Sequence, residues 1–323
     1  MAEGFRLNNG MTIPKIGFGT YKAADDGTSR VIDEAIRAGY RYFDTASFYE
    51  NEEELGMAWT QSGLERGEIQ IASKAWKSEL GYHEVRKAFE RSLERLKTDY
   101  LDLYLIHWPL PTPDYRAWEK LDLDTWKLME ELYQEGKVRA IGVSNFLPQH
   151  LLNLMEHAEV VPAVDQLEFH PGHTQEVTLR FCQDHGIQVQ AWSPLGRNRV
   201  LKDPLIVSLA EKYGVSPAQL CLKYDLQRGV MVIPKASSPE RMRQNLNLGD
   251  FTISQVDMYR IDTMPDYGWS GEHPERERVD IQIKAHEGGV GTRSTASVTD
   301  GKNIRETECG APYTECRRQP VRD

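Results

Sequence analysis

Four segments of this 323-residue chain end an apolar, strand-like run on a polar residue: YRYFDTASFYENEEELG, IQIASKAW, LDLYLIHWP and RAIGVSNF. The polar residues are Asp44, with Tyr49 just beyond it, Lys74, His107 and the Ser144–Asn145 pair. Their types suit the reduction of a carbonyl. Hydride addition leaves an alkoxide that needs a proton, so a positioned acid is required. A free tyrosine, with a pKa of about 10, is too weak to be ideal. A lysine ammonium beside it lowers that pKa by stabilising the phenolate, and a carboxylate keeps the lysine charged and oriented. A histidine on the same face can hydrogen-bond the carbonyl oxygen. Each residue alone has an ordinary use: Asp44 as a cap, Tyr49 as a half-buried aromatic, Lys74 as a strand-end cation, His107 as a core histidine. Together, at strand ends, they form a candidate catalytic set.

The elements that must carry these residues alternate. Phe5 to Ile16 places two short apolar stretches around Asn9–Gly10, a turn dipeptide, and predicts a small β-hairpin before the main fold. IGFGTY reads as a strand. Ser29 to Gly39 stacks Val31, Ile32, Ala35 and Ile36 on one helical face and stops at glycine. RYFDT, EIQIASK, LDLYLIH, VRAIGVS, AVDQLEF, IQVQAWS and VMVIPKA read as further strands. Helices are expected over Glu52–Gln61, His83–Leu96, Leu123–Glu135, Pro148–His157, Gln175–His185, Pro204–Tyr213, Pro239–Leu246 and Ser254–Ile261. A polar, Pro-rich loop is expected from Trp108 to Lys120, a length usual for lids or binding walls. Strands that are apolar throughout imply a parallel sheet buried on both faces. Eight of them close naturally as a (β/α)8 TIM barrel, an α/β fold whose strand C-termini share one face and build the active site there.

Composition bounds the rest. Hydrophobic content of 40% and charged content of 27% are ordinary globular values. A net charge of −10 argues against non-specific nucleic-acid binding. The N-terminal MAEGFRLNNG shows no apolar signal core, and no run approaches the ~20 apolar residues of a membrane span. Cys182, Cys221, Cys309 and Cys316 form no CxxC pair, so a reduced, cytoplasmic setting is expected. No HExxH or clustered His/Cys spacing calls for a metal. Residues 278–323 carry few large apolar side chains and no period, and are expected to form a disordered tail after a barrel over residues 1–277.

The order, spacing and wording of these motifs resemble the aldo-keto reductase family from about Phe5 to about Trp269. Within it, the early end of the family-like region at Asp266–Trp269 is similar to bacterial members related to 2,5-diketo-D-gluconate and methylglyoxal reductases. The resemblance implies that Asp44, Tyr49, Lys74 and His107 are catalytic, with Tyr49 as general acid. It implies a nicotinamide cofactor laid across the barrel mouth, which agrees with the absence of GxGxxG after the first strand. Ser144, Asn145 and Gln166 then hold the carboxamide, Trp192 stacks under the nicotinamide ring, and Ser193, Leu195 and Gly196 line the pyrophosphate path.

IPKASSPERMRQNLN offers Lys235 at a strand end, with Ser237, Ser238 and Arg241 around a helix start, a good dianion site. By resemblance, Lys235 and Arg241 take the adenosine 2′-phosphate and Gln244 and Asn245 face the adenine, which favours NADPH. Many members carry serine where this chain has Ala236, which removes one possible phosphate hydroxyl. Tyr21, Phe48, Trp76, Trp108 and the loop through Trp118 are the candidate substrate walls, an aromatic set suited to small carbonyl compounds. The expectation is a monomeric NADPH-dependent reductase of aldehydes and ketones, with small or sugar-derived carbonyl substrates. Two other classes fit the residues less well. An NADPH-binding redox sensor or scaffold would leave the intact catalytic set unexplained. A phosphate-sugar isomerase, a fold analogy only, would leave Trp192 and the Lys235/Arg241 cluster unexplained.

Overall fold

The computed structural model describes residues 4–23 and 28–278. The chain opens with β1 (Gly4–Arg6) and β2 (Thr12–Pro14), antiparallel with Phe5 opposite Ile13. Gly10 takes a φ of 87° in the turn, a value glycine adopts without penalty. Eight strands follow: β3 (Phe18–Gly19), β4 (Tyr42–Asp44), β5 (Gln70–Ala75), β6 (Leu103–Ile106), β7 (Ile141–Ser144), β8 (Val164–Glu168), β9 (Gln188–Trp192) and β10 (Met231–Val232). Each pairs in parallel with the next, in chain order. The ends meet. Gly17 and Gly19 donate to the carbonyls of Val232 and Pro234, and Val232 donates to Lys15, so the sheet closes into a barrel.

Alternation along the strands divides the apolar residues into two cores. Leu103 and Leu105 of β6 point into the barrel with Tyr42, Ala72, Val164 and Met231, where Leu7 and Ile13 of the hairpin plug one end. Tyr104 and Ile106, between and beyond them, face the surrounding helices. The hairpin therefore completes the barrel interior.

The helices are α1 (Thr28–Ala38), α2 (Glu52–Gln61), α3 (Tyr82–Leu96), α4 (Trp118–Gln134), α5 (Pro148–His157), α6 (Glu176–Asp184), α7 (Pro204–Tyr213), α8 (Pro217–Gln227), α9 (Pro239–Leu246) and α10 (Gln255–Asp262). Two differences from the sequence reading stand out. The expected loop through Lys120 ends earlier, because α4 begins at Trp118 and buries Asp122, Thr125 and Trp126 in its first turns. A whole helix, α8, was not expected. It starts at a reciprocal capping box in which the Ser216 hydroxyl accepts from the Gln219 N–H and the Gln219 side chain accepts from the Ser216 N–H. The other helices agree to within a few residues at each end. The expected tail lies outside the described residues except for Arg278, and so do Cys309 and Cys316. Among the described residues no helix is long and apolar enough to cross a membrane.

Candidate active site

The C-terminal ends of the barrel strands surround a cavity of about 660 Å³, within the range of small-molecule sites. Asp44 ends β4, Lys74 lies near the end of β5, His107 directly follows β6, and Ser144 ends β7. Tyr49 closes a 3₁₀ turn, Ser47–Tyr49, that follows β4 and returns its ring over the barrel mouth. The four expected catalytic residues thus come together. Lys74 lies fully buried under the cavity and donates from Nζ to Asp44 Oδ2 at 2.6 Å, to the Thr45 carbonyl at 2.9 Å and to Tyr49 Oη at 3.3 Å. Gln166 Nε2 donates to the other Asp44 oxygen at 2.7 Å, so both carboxylate oxygens are held. The His107 ring stands edge-on to Tyr49 at 5.6 Å and to Trp76 at 4.9 Å.

The electrostatics follow from enclosure. Burial pushes the Lys74 ammonium below the usual lysine range, and the adjoining Asp44 carboxylate pushes back. Burial, the Lys74 charge and the Lys77 charge hold His107 well below the usual histidine range, so its ring is neutral at working pH. Its Nδ1 is buried without a hydrogen-bond partner among the described residues. Tyr49 differs from expectation. Burial first, then the Asp44 carboxylate and Tyr21, raise its phenol well above 10.0. The positive charge of Lys74 is answered by Asp44 at 2.6 Å, which leaves little net field to acidify the phenol. Tyr49 is therefore held as a proton-bearing donor.

The next strands supply the flanking wall. Ser144 Oγ donates to the Gln166 carbonyl at 2.8 Å. Asn145 sits in the left-handed region at φ 61°, and its Nδ2 donates to the His107 carbonyl at 3.0 Å and to Ser144 Oγ at 3.1 Å. The Trp192 indole N–H donates to Asn145 Oδ1 at 2.9 Å. The Asn145 amide is thus committed to protein partners, and it braces His107 and Trp192 together. Ser193, at φ 51°, and Leu195 continue along the cavity, while Gly196 is buried behind them. Lys235 stands at the far end, exposed, donating to the Lys22 carbonyl at 2.9 Å.

Ser237, Arg241, Gln244 and Asn245 lie beyond the cavity at α9, whose N-terminus is capped by Ser238. Arg241 is exposed, and its guanidinium has no ion pair among the described residues. Asn245 is buried, and Gln244 binds Glu240 within the helix at 3.3 Å. Ala236 is buried, so its position offers no ligand-facing group.

Tyr21, Phe48, Trp76 and Trp108 all line the cavity, with Phe48 stacked on Trp76 at 3.8 Å. Trp118 does not. It opens α4 and meets His150 edge-on at 4.8 Å, because the helix starts sooner than its polar sequence suggests. Several lining residues were not anticipated. Gly19 lies at the end of the short β3, and Lys77, Arg197, Glu272 and Arg278 close the mouth. Only the WK dipeptide at Trp76–Lys77 carried a local signal, since Glu272 and Arg278 come from a segment with no periodicity.

This is a barrel with a polar floor of hydrogen-bonded side chains, an aromatic wall and a cationic far end, the architecture of a nicotinamide-dependent carbonyl reductase. A profile of the Aldo/keto reductase family matches residues 15–265, and the chain belongs to that family. It is 43% identical over 271 residues to glyoxal reductase from Bacillus subtilis (strain 168), spanning 84% of this chain and 95% of that protein. The fold matches the crystal structure of an aldo/keto reductase from Brucella melitensis with a TM-score of 0.76 and 40% identity, covering 81% of this chain and 98% of that one. An aldo-keto reductase from Bombyx mori, solved in complex with NADP, matches with a TM-score of 0.76 and 33% identity over 87% and 96% of the two chains. The protein is an NADP(H)-dependent oxidoreductase that reduces carbonyl groups. Its residues fit that cofactor: a flat indole wall at Trp192, a Gln166 side-chain oxygen with no protein donor among the described residues, and at the other end Lys235 and Arg241, cations without an ion pair among the described residues, beside a capped helix N-terminus.

Proposed function

We propose that this enzyme reduces small aldehydes and ketones, sugar-derived ones included, as a monomeric barrel over residues 1–277, with Tyr49 as the general acid. NADPH, when bound, supplies the hydride. The supporting observation is the chain of hydrogen bonds from Asp44 through Lys74 to Tyr49 at the cavity floor. Tyr49 Oη holds the proton that the carbonyl oxygen takes as the carbon is reduced. The Lys74 N–H already aimed at Oη stabilises the phenolate left behind, and Asp44 keeps that N–H oriented. Neutral His107 donates an N–H to the carbonyl oxygen. This tautomer leaves its buried Nδ1 as an unpaired acceptor rather than an unpaired donor.

Ser144 and Gln166 orient the carboxamide of the cofactor. Asn145 acts one step back by fixing Trp192 under the ring. Ser193, Leu195 and Gly196 carry the pyrophosphate past the mouth. Lys235 and Arg241 take the 2′-phosphate, which favours NADPH over NADH, with Ser237, Gln244 and Asn245 around the adenosine end. Tyr21, Phe48, Trp76 and Trp108 enclose the substrate.

The test is oxidation of NADPH at 340 nm against methylglyoxal, aromatic aldehydes and keto-sugars, with NADH in parallel. Carbonyl-dependent oxidation that is faster with NADPH is expected. Tight NADPH binding with no oxidation by any of these carbonyls would instead favour a cofactor-binding sensor.

A further inference from the structure

On the substrate side, the mouth of the cavity holds a cation, Lys77, that the reaction above does not use. Lys77 opens the 3₁₀ turn Lys77–Glu79 directly after Trp76, on the substrate side of the cavity. Its ammonium lies 4.8 Å from the centre of the Trp108 ring and 5.8 Å from that of Trp76. It is half-buried and makes no hydrogen bond or ion pair among the described residues. The neighbouring cations are different. Arg197 and Arg278 also line the mouth, but both approach Glu272, at 3.9 and 3.3 Å. Glu272 and Glu277 act on Lys77 only at a distance. The Lys77 field reaches His107, the residue that would hold the carbonyl oxygen.

A half-buried ammonium set against aromatic rings has lost part of its hydration without gaining a counter-charge, so an anion entering the cavity regains that interaction. We propose that Lys77 binds a carboxylate on the substrate, and that the preferred substrates are oxo-acids: short aldehydes or ketones bearing a carboxylate a few bonds from the reacting carbonyl. The inference rests on the reductase reading and narrows its substrate class. Geometry supports a short spacing. Trp76 touches both ends of the span, edge-on to His107 at 4.9 Å and beside Lys77. A carbonyl held by His107 and a carboxylate held by Lys77 would lie along the same indole. Asp44 does not oppose such an anion, because Lys74 at 2.6 Å neutralises it.

The experiment compares 4-oxobutanoate with butanal, and glyceraldehyde 3-phosphate with glyceraldehyde, in the wild type, Lys77→Met and Lys77→Arg. For the wild type, kcat/KM should favour 4-oxobutanoate over butanal by about tenfold or more, the scale of a hydrogen bond to a charged group. Lys77→Met should erase that preference, mainly through KM, and leave butanal within about twofold, since a neutral substrate gains little from the charge. Lys77→Arg should retain most of it. Succinate should compete with butanal in the wild type and fail to do so in Lys77→Met, a reading that needs no turnover of the acid. Added salt should shrink the wild-type preference. An equal loss for 4-oxobutanoate and butanal would overturn the proposal, as would a wild type that does not discriminate between them. A preference confined to the phosphate pair would overturn the carboxylate assignment. Failure to reduce any of the four would be a failure of the reductase reading itself.

Discussion

Replacing Lys74 with methionine isolates the buried pair on which the site is built. In the native fold the Lys74 and Asp44 side chains are 0% and 3% exposed and meet at 2.6 Å. The Met side chain fills much the same volume, so the change is mainly electrostatic. It strips Asp44 Oδ2 of its partner and leaves the carboxylate with Gln166 alone. Breaking a buried pair in this way costs about 3–5 kcal/mol, which for a domain of this size is a fall in Tm of roughly 10 °C. The second substitution tests the cause. Asp44→Asn removes the stranded charge yet keeps an oxygen for the Gln166 N–H, so Asp44→Asn/Lys74→Met should be more stable than Lys74→Met alone. Thermal and urea unfolding of the four proteins gives the coupling directly. A Lys74→Met protein within about 1 kcal/mol of wild type, well below the 3–5 kcal/mol of an unpaired buried charge, would refute the reasoning. So would a double variant at least as unstable as the sum of the singles. Turnover of Lys74→Met should fall as well, because Tyr49 loses the donor that stabilises its phenolate.

Other consequences are local. Gly56→Ala would drive its new methyl into the Arg95 carbonyl oxygen where α2 and α3 cross. It should cost about 1–3 kcal/mol, seen as a lower urea midpoint with activity per folded molecule unchanged. His150 is pushed down to about 4, chiefly by burial, and its Nδ1 accepts the Leu147 N–H at the start of α5. Its folded pKa lies below the unfolded 6.5. Stability is therefore fully present above pH 6.5 and falls by roughly 3 kcal/mol as pH drops to 4, and His150→Gln should flatten that part of the acid-unfolding curve. Arg241→Ala should raise the KM for NADPH by at least about tenfold and leave the KM for NADH nearly unchanged, as expected for a lost charge-assisted phosphate contact. Equal effects on the two cofactors would remove the 2′-phosphate from its role.

The fold and the meeting of the candidate residues at one cavity were legible because they rest on local signals. Each strand is an apolar run with its own bounds, and Asp44, Lys74, His107 and Ser144 sit at or beside the ends of four of them, where a parallel barrel must place them together. What escaped depended on contacts between distant segments or on weak boundaries. Only Gly214, Val215 and Ser216 separate α7 from α8, so the helix ending at Tyr213 was expected and the one that restarts at Pro217, before the expected strand VMVIPKA, was not. Trp118 looked like a loop aromatic because the polar residues beside it hide the start of α4. The acidity of Tyr49 could not be read from residue types. It depends on how completely Asp44 answers Lys74 and on how tightly the phenol is enclosed. Likewise, nothing in the sequence showed that Asn145 would be held by Trp192, or that Glu272 would pair with Arg278 and Arg197 and leave Lys77 without a partner among the described residues.

The central claim is that Tyr49 gives its proton to the substrate oxygen. Tyr49→Phe deletes only the hydroxyl and keeps the ring that packs on Tyr21 at 5.0 Å and against His107. The decisive measurement is single-turnover NADPH oxidation with a reactive aldehyde by wild type and Tyr49→Phe, with NADPH affinity measured on the same samples by tryptophan fluorescence. A loss of about 10²–10⁴-fold in the chemical step, the usual range for a general acid, with cofactor affinity unchanged is the predicted result. Near-normal turnover in Tyr49→Phe would contradict it and move the proton donor to another group.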